Sequence, residues 1–151
     1  MPVSGPPERI EPASLDDYLE VMSKAVFQSG MSWRVVEAKW PGIREAFQDF
    51  STQKVADLSV FEVEALARDT RVIRNRRKLA AIVDNAQRMI ELDREHGSFR
   101  SYLRSHGDFD ATLGALRKDF KFMGPTSVYY FLYVVGEEVP PHEEFEAAYR
   151  R

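Results

Sequence analysis

Apolar residues recur along this chain at three- and four-residue steps and almost nowhere in alternation. Leu15, Tyr18, Leu19, Met22 and Val26 make a first stripe, with Ser14 and Asp17 spaced as a capping box at its start. Gly30 ends that helix. Ser32 is placed to cap the next, from Trp33 to about Lys39, which Pro41 is expected to break before opening a further helix through Phe50. Ser59 and Glu62 form a second capping box, ahead of Phe61, Val63 and Leu66, which offer a short helix apolar residues to bury. The clearest stripe is Leu79, Ile82, Val83, Ala86, Met89 and Ile90, on a helix of about 20 residues. Ser98 and Asp110 start two more short helices, and Pro125 stands where first-turn prolines stand. The pattern predicts an all-α fold: one helical domain over residues 14–151, after a Pro-rich lead-in of residues 1–13 that reads as disordered.

One stretch resists periodicity. "FKFMGPTSVYYFLYVVG", residues 120–136, is aromatic and β-branched after its Gly-Pro-Thr corner, and propensity alone reads a strand there. A strand needs a partner, and the rest of the chain supplies none. A helix apolar on most sides is a core helix, and that reading is adopted for Val128 to Val135. The corner then becomes a helix N-terminus whose free backbone N–H groups suit a phosphate, with Lys118 and Lys121 close by.

Composition narrows the chemistry. There is no cysteine among the 151 residues, which removes disulfides, thiolate nucleophiles and Cys-ligated zinc, and fits a cytoplasmic protein. The longest apolar run is far too short to span a bilayer. Net charge is −3, so the chain is not a general polyanion-coating protein. Basic residues nevertheless cluster at Arg68, Arg71, Arg74, Arg76, Arg77 and Lys78, opposed only by Asp69. Such a patch on an acidic chain is either a solvated helix face or a confined anion site.

Three segments, in order, carry a family resemblance. "FKFMGPTSVYYF" resembles the helix-hairpin-helix of the DNA-3-methyladenine glycosylase I family, which reads close to FKFVGPTxxYxF. "QSGMSW", Gln28 to Trp33, is similar to its Q-x-G-L-S-W, and "VIRNRRKLAAIVDNA", Val72 to Ala86, to its I-I-R-N-R-x-K-I-x-A-x-x-x-N-A. The resemblance implies an all-α helix-hairpin-helix glycosylase domain that hydrolyses the N-glycosidic bond of an alkylated purine, of 3-methyladenine type, flipped from duplex DNA. It also implies roles. Trp33 matches the base-stacking tryptophan, where a ring face attracts a cationic base. Gln28 and the position of Ala25 belong to the base-binding set. Gly30 and Met31 match the wedge that enters the gap in the duplex. Gly124 and Thr126 match the phosphate-holding hairpin, with Lys121, Arg74 and Arg76 as further phosphate contacts.

The chain also departs from that family. The family's base-reading glutamate lies eight residues before the tryptophan, where this chain has Ala25. Its upstream aromatic segment is replaced by the Pro-rich lead-in. Its zinc site needs cysteines that are absent, and His142 stands near the expected place without such partners, so neither a metal nor another cofactor is expected. Substitute carboxylates are Asp16, Asp17, Glu20 and Glu37; Glu37, one helical turn from Trp33, is the candidate catalytic residue. Tyr18 is the candidate replacement for a lost pocket aromatic, or a core residue. The space beside Trp33 is expected to be a base-sized cavity with an apolar wall at Ala25. Three functions remain open: a monomeric glycosylase acting on damaged double-stranded DNA, a non-catalytic module binding damaged DNA, and a structural helical domain with an acidic protein partner.

Overall fold

The computed structural model describes residues 7–149. Among them are nine α-helices and no strand: α1 (Leu15–Gln28), α2 (Trp33–Ala46), α3 (Thr52–Ala56), α4 (Val60–Leu66), α5 (Arg76–His96), α6 (Phe99–Leu103), α7 (Phe109–Asp119), α8 (Pro125–Val134) and α9 (His142–Tyr149). Helix α5 is the central strut. Its apolar stripe packs against α1, α3, α4 and α6, while α1 lies between α5 and α8. Leu19, Met22 and Val26 of α1, Leu79, Ile82, Ala86 and Met89 of α5, and Val128 and Phe131 of α8 are fully buried. Val128 to Val134 is therefore helical, and the inner face of α8 is core. Its tyrosines, Tyr129, Tyr130 and Tyr133, are only half-buried and form a second, outward-looking aromatic face.

Local chemistry sets most of the helix starts. Asn75, Ser98 and Asp108 each accept a hydrogen bond from the backbone N–H three residues on, and Ser59 and Glu62 complete a reciprocal capping box. The cap of α7 is Asp108, not Asp110. At α1 the expected box is absent: Ser14 makes no side-chain cap bond, and Asp17 instead accepts from the N–H of Ala13.

Three other expectations are corrected. Pro41 does not break α2, which continues to Ala46; the proline removes only the N–H that would have reached the Glu37 carbonyl. The next residue explains the tolerance of close packing there. A Cβ on Gly42 would lie 3.1 Å from the Arg71 carbonyl oxygen, so glycine lets the two segments meet. Beyond α2, Gln48, Asp49 and Phe50 form a 3₁₀ turn with φ between 54° and 58°. That left-handed turn is costly for non-glycine residues, and it is held by Phe50 stacking on both Trp40, at 5.4 Å, and Phe47, at 5.2 Å. Phe61 is not buried by α4 but is 86% exposed. Val63 and Leu66 define the inner face of that helix, and a residue two positions before Val63 points the opposite way.

Residues 1–6 of the lead-in lie outside the described residues, so the expectation of disorder is untouched there. Its later part is held. Arg9 donates to the carbonyls of Tyr133 at 2.8 Å and Glu137 at 2.7 Å, and its guanidinium lies 4.4 Å from the Tyr133 ring centre. The Ile10 N–H donates to the Val134 carbonyl at 2.7 Å. Two of the acceptors, the Tyr133 and Val134 carbonyls, lie in the last turn of α8, where helical partners run out, and the third, Glu137, follows in the loop.

Candidate nucleic-acid interface

The loop between α1 and α2 carries the residues expected to form a wedge. Gly30 adopts φ +73°, a left-handed conformation that glycine takes without steric cost, and Gly30 is exposed. The Met31 N–H donates to the Gln28 carbonyl at 3.0 Å, and the Met31 side chain is half-buried against the core, so it leans on the domain rather than standing free. The loop is fastened from below by Lys78. Its ammonium donates to the carbonyls of Phe27, at 3.0 Å, and Ser29. Lys78 thus acts as a cation at the C-terminus of α1, where the helix dipole favours positive charge. Burial pushes its pKa below the usual lysine value.

Lys78 therefore leaves the basic patch, and two more of its members are committed to ion pairs. Arg71 is paired with Asp69 at 2.7 Å and Glu45 at 3.2 Å, and Arg76 with Glu64 at 2.7 Å. Arg68, Arg74 and Arg77 remain exposed, and Arg74 has no ion pair among the described residues. Of the two arginines expected at a phosphate, Arg74 is available and Arg76 is already bridged to α4.

The hairpin between α7 and α8 is built against the same helix, α5. The Asn85 side chain donates to the Lys121 carbonyl at 3.1 Å and accepts from the Lys121 N–H at 2.8 Å. Phe122 has φ +59°, and the Arg77 guanidinium lies 6.0 Å from its ring centre. Gly124 caps α8 through its backbone with Pro125 in the first turn; Thr126 is exposed. The Lys121 ammonium is not free: it pairs with Asp84 at 2.6 Å. The α1–α2 loop and the hairpin are thus both anchored to α5, one through Lys78 and the other through Asn85, two turns apart on one rigid element.

Trp33 starts α2 and is half-buried. Its ring meets the ring of Tyr130 edge-on at 5.6 Å, and the Lys24 ammonium lies over it at 5.7 Å. The same ammonium is 5.5 Å from the Trp40 ring and pairs with Glu37 at 2.9 Å. Glu20 accepts from the Trp40 indole at 2.9 Å and pairs with Arg44 at 3.2 Å. Burial, with Glu37 and Glu20 nearby, pushes the Tyr130 phenol well above its usual range, so it stays protonated. The Gln28 amide nitrogen is buried and has no hydrogen-bond partner among the described residues.

Ala25 is not a wall of an open cavity but part of the packed core, 2% exposed. A methyl group on the inner side of α1 packs in the core; the Lys24 ammonium, one residue earlier, lies over the Trp33 ring instead. An open aromatic groove has Tyr130 in its wall. It has a volume of about 870 Å³ and is walled by Tyr129, Tyr130, Tyr133, Thr126, Arg9 and Val139. Trp33 is joined to it through Tyr130. A second open cavity, of about 600 Å³, is lined by Glu37, Trp40, Arg44 and Asp49.

Two of the four substitute carboxylates are remote in role: Asp16 accepts from the Thr52 N–H and hydroxyl, both at 2.7 Å, and Asp17 from Ala13. Tyr18 is a core residue, packed edge-on against Phe99 at 5.1 Å. His142 faces Glu146 at 3.6 Å and the Tyr129 ring at 5.6 Å, and among the described residues no three His, Cys, Asp or Glu side chains are grouped to hold a metal. No helix among them is long and apolar enough to cross a membrane. Lys24 and Arg9 were missed by sequence reasoning. Lys24 carries no motif, and its significance lies in two tryptophans that only the folded helices bring together.

An all-α domain with a glycine-containing α1–α2 loop and a helical hairpin fastened to one strut has the architecture of a helix-hairpin-helix DNA glycosylase. The model of the methyladenine glycosylase family matches residues 12–118, and the chain belongs to that family. It is similar to the DNA-3-methyladenine glycosylase 1 of Escherichia coli, with 30% identity over 72% of this chain and 70% of the relative. The DNA-3-methyladenine glycosylase of Haemophilus influenzae is 28% identical over the same shares. Among solved structures, 3-methyladenine DNA glycosylase I of Staphylococcus aureus superposes with a TM-score of 0.74 at 27% identity, covering 84% of this chain and 79% of that one.

Proposed function

We propose that this protein is a base-excision glycosylase that hydrolyses the N-glycosidic bond of an alkylated purine flipped out of duplex DNA, acting as a cytoplasmic monomer without a metal. One observation carries the reading: the backbone leading into the Gly30–Met31 loop, at Phe27 and Ser29, and the backbone leading into the Gly124–Thr126 corner, at Lys121, are bonded to the same helix by Lys78 and Asn85. A protein that opens a duplex must hold a wedge at the gap and a phosphate at a set distance from it, and a rigid connection supplies that spacing.

In this reading the corner takes a phosphate through the backbone N–H groups at the start of α8, with Lys121 and Arg74 adding charge. The flipped base enters beside Trp33 and Tyr130, stacking on an aromatic face, and the Gln28 amide donates to its edge. Glu37 orients the attacking water. An alkylated purine is a good leaving group, so stacking and a positioned water suffice for the bond to break. The sugar carbon gains the water oxygen, the alkylated base, cationic while attached, leaves neutral with the bonding electron pair, and the water's proton passes to solvent.

The test is release of free base. Duplex DNA treated with a methylating agent is incubated with the protein, and the liberated bases are separated and quantified. Release above the spontaneous rate, lost in Trp33→Ala, supports hydrolysis. Tight binding to methylated duplex without release identifies a damage-binding module instead, a reading favoured by Glu37 being tied to Lys24.

A further inference from the structure

We infer that Arg77 is a DNA-phosphate contact on the hairpin side of the interface, in the place that the motif pattern gives to Arg76. The inference rests on the glycosylase reading only in taking duplex DNA as the ligand.

Arg76, Arg77 and Lys78 open α5, and successive helical residues point about 100° apart. Three consecutive cations therefore address three different neighbours. Arg76 turns to α4, where Glu64 takes it at 2.7 Å. Lys78 turns to the end of α1, where the Phe27 and Ser29 carbonyls take it. Arg77 turns to the hairpin, with its guanidinium 6.0 Å from the Phe122 ring centre.

Arg77 alone of the three has no acceptor. It is exposed and makes no hydrogen bond or ion pair among the described residues. The carboxylates of the neighbouring segments are engaged elsewhere: Glu64 by Arg76, and Asp69 by Arg71. Asp84, two turns along the same face of α5, is held by Lys121 at 2.6 Å. Lys121 is thus a compensated cation beside the corner, and Arg77 an uncompensated one.

The hairpin also steadies the side chain that it leaves free. An aromatic ring beside a guanidinium restrains its plane without consuming its N–H donors. The Phe122 backbone is set by a left-handed φ of +59°, and Asn85 bonds both backbone groups of the residue before it. Phe122 stands two residues ahead of Gly124, where the start of α8 offers its backbone N–H groups. A planar fork of donors beside that corner suits a phosphate, which accepts two parallel N–H bonds.

The experiment reads salt dependence, which a purely structural role does not move. Fluorescence anisotropy follows binding of an intact duplex, and of one carrying a tetrahydrofuran abasic site, between about 50 and 200 mM salt. Arg77→Gln is expected to lower the slope of log affinity against log salt by about one. It should also weaken binding about tenfold at the lowest salt, by the same factor for both duplexes, since a phosphate contact carries no sequence information. Arg77→Lys keeps the charge but not the fork, and is expected to keep the slope with an affinity between those of wild type and Arg77→Gln. Arg76→Gln, whose charge Glu64 already holds, is expected to leave the slope where it was. Arg77→Met serves as the second neutral variant should Arg77→Gln unfold. The inference is overturned by an unchanged slope in the neutral variants, whatever their affinity, by an equal loss of slope in Arg76→Gln, or by absence of wild-type binding to both duplexes. Failure of the glycosylase reading looks different: the slope falls as expected while methylated DNA releases no base.

Discussion

Asn85 holds the backbone of Lys121 from both sides, donating to its carbonyl at 3.1 Å and accepting from its N–H at 2.8 Å. One side chain thereby replaces a whole turn of secondary structure, and it does so where the chain leaves α7 for the corner that starts α8. The bend is too sharp for helical bonding to continue, so a primary amide, which offers donor and acceptor at once, suits the position where a carboxylate or an ammonium does not.

Asn85→Ala is expected to destabilise the fold by about 1–3 kcal/mol, the cost of leaving partly buried backbone groups unpaired. Urea unfolding measures that loss. Duplex binding should fall more than stability at working temperature requires, because the corner loses its fixed position relative to the wedge loop. A variant that unfolds earlier but binds duplex with unchanged affinity separates the corner from DNA contact.

Lys78→Met removes the donors that hold the Phe27 and Ser29 carbonyls while keeping the apolar stem. The α1–α2 loop should loosen, with faster amide exchange at Ser29 to Met31. The pH dependence of stability should change as well. Lys78 is held below its ordinary value, so the unfolded chain binds the extra proton in the window just under 10.5, and this residue's contribution to stability rises with pH there. Losing that slope in Lys78→Met, by urea titration at a series of alkaline pH values, is the expected signature.

Lys121 reaches Asp84 at 2.6 Å, so a phosphate must compete with a carboxylate for it. Lys121→Ala should weaken binding to all duplex sequences and lower the salt slope by about one. Asp84→Asn should do the reverse and raise affinity by about two- to fivefold, since an exposed pair of this kind is worth up to about 1 kcal/mol. Fluorescence anisotropy over a range of salt concentrations reads both. An unchanged slope in Lys121→Ala removes this lysine from the interface.

Acid stability should depend on Asp119. Burial pushes its pKa up, but the Tyr102 hydroxyl at 2.5 Å and the Arg88 guanidinium at 2.9 Å outweigh that and hold it below the usual 3.8. Its contribution is complete above the unfolded value and is lost as pH falls through the folded one. Tyr102→Phe should therefore move the acid-unfolding midpoint, followed by circular dichroism, to higher pH. A midpoint unmoved by Tyr102→Phe assigns the acid limit to other carboxylates.

The helical periods of α1 and α5 were legible in the sequence because burial on one face leaves a repeating mark, and so were the caps at Ser59 and Ser98. Pro41 misled because the missing N–H costs one bond, which α2 tolerates beside Gly42. Phe61 misled because an apolar side chain carries no label saying which way its helix is turned. For the candidate site, the order of three motifs singles out Trp33, Gly30, Gly124 and Thr126 as expectations. Lys78 was found for the wrong reason: its charge reads as part of a patch, while its partners are two carbonyls about fifty positions earlier in the chain. Lys24 was invisible, since its neighbours Trp33 and Trp40 take on meaning only when α1 and α2 lie side by side.

The bonds from Arg9 to Tyr133 and from Ile10 to Val134 span more than 120 residues, and α1 packs directly on α8. On a ribosome the first helix therefore emerges long before its partner exists. The stripe of Leu19, Met22 and Val26 stays partly uncovered until the hairpin and α8 have left the exit tunnel, so completion of the core is a late, chain-wide step. A nascent chain halted before residue 125 should present that apolar stripe to chaperones, and one released a short way beyond Glu137 should not.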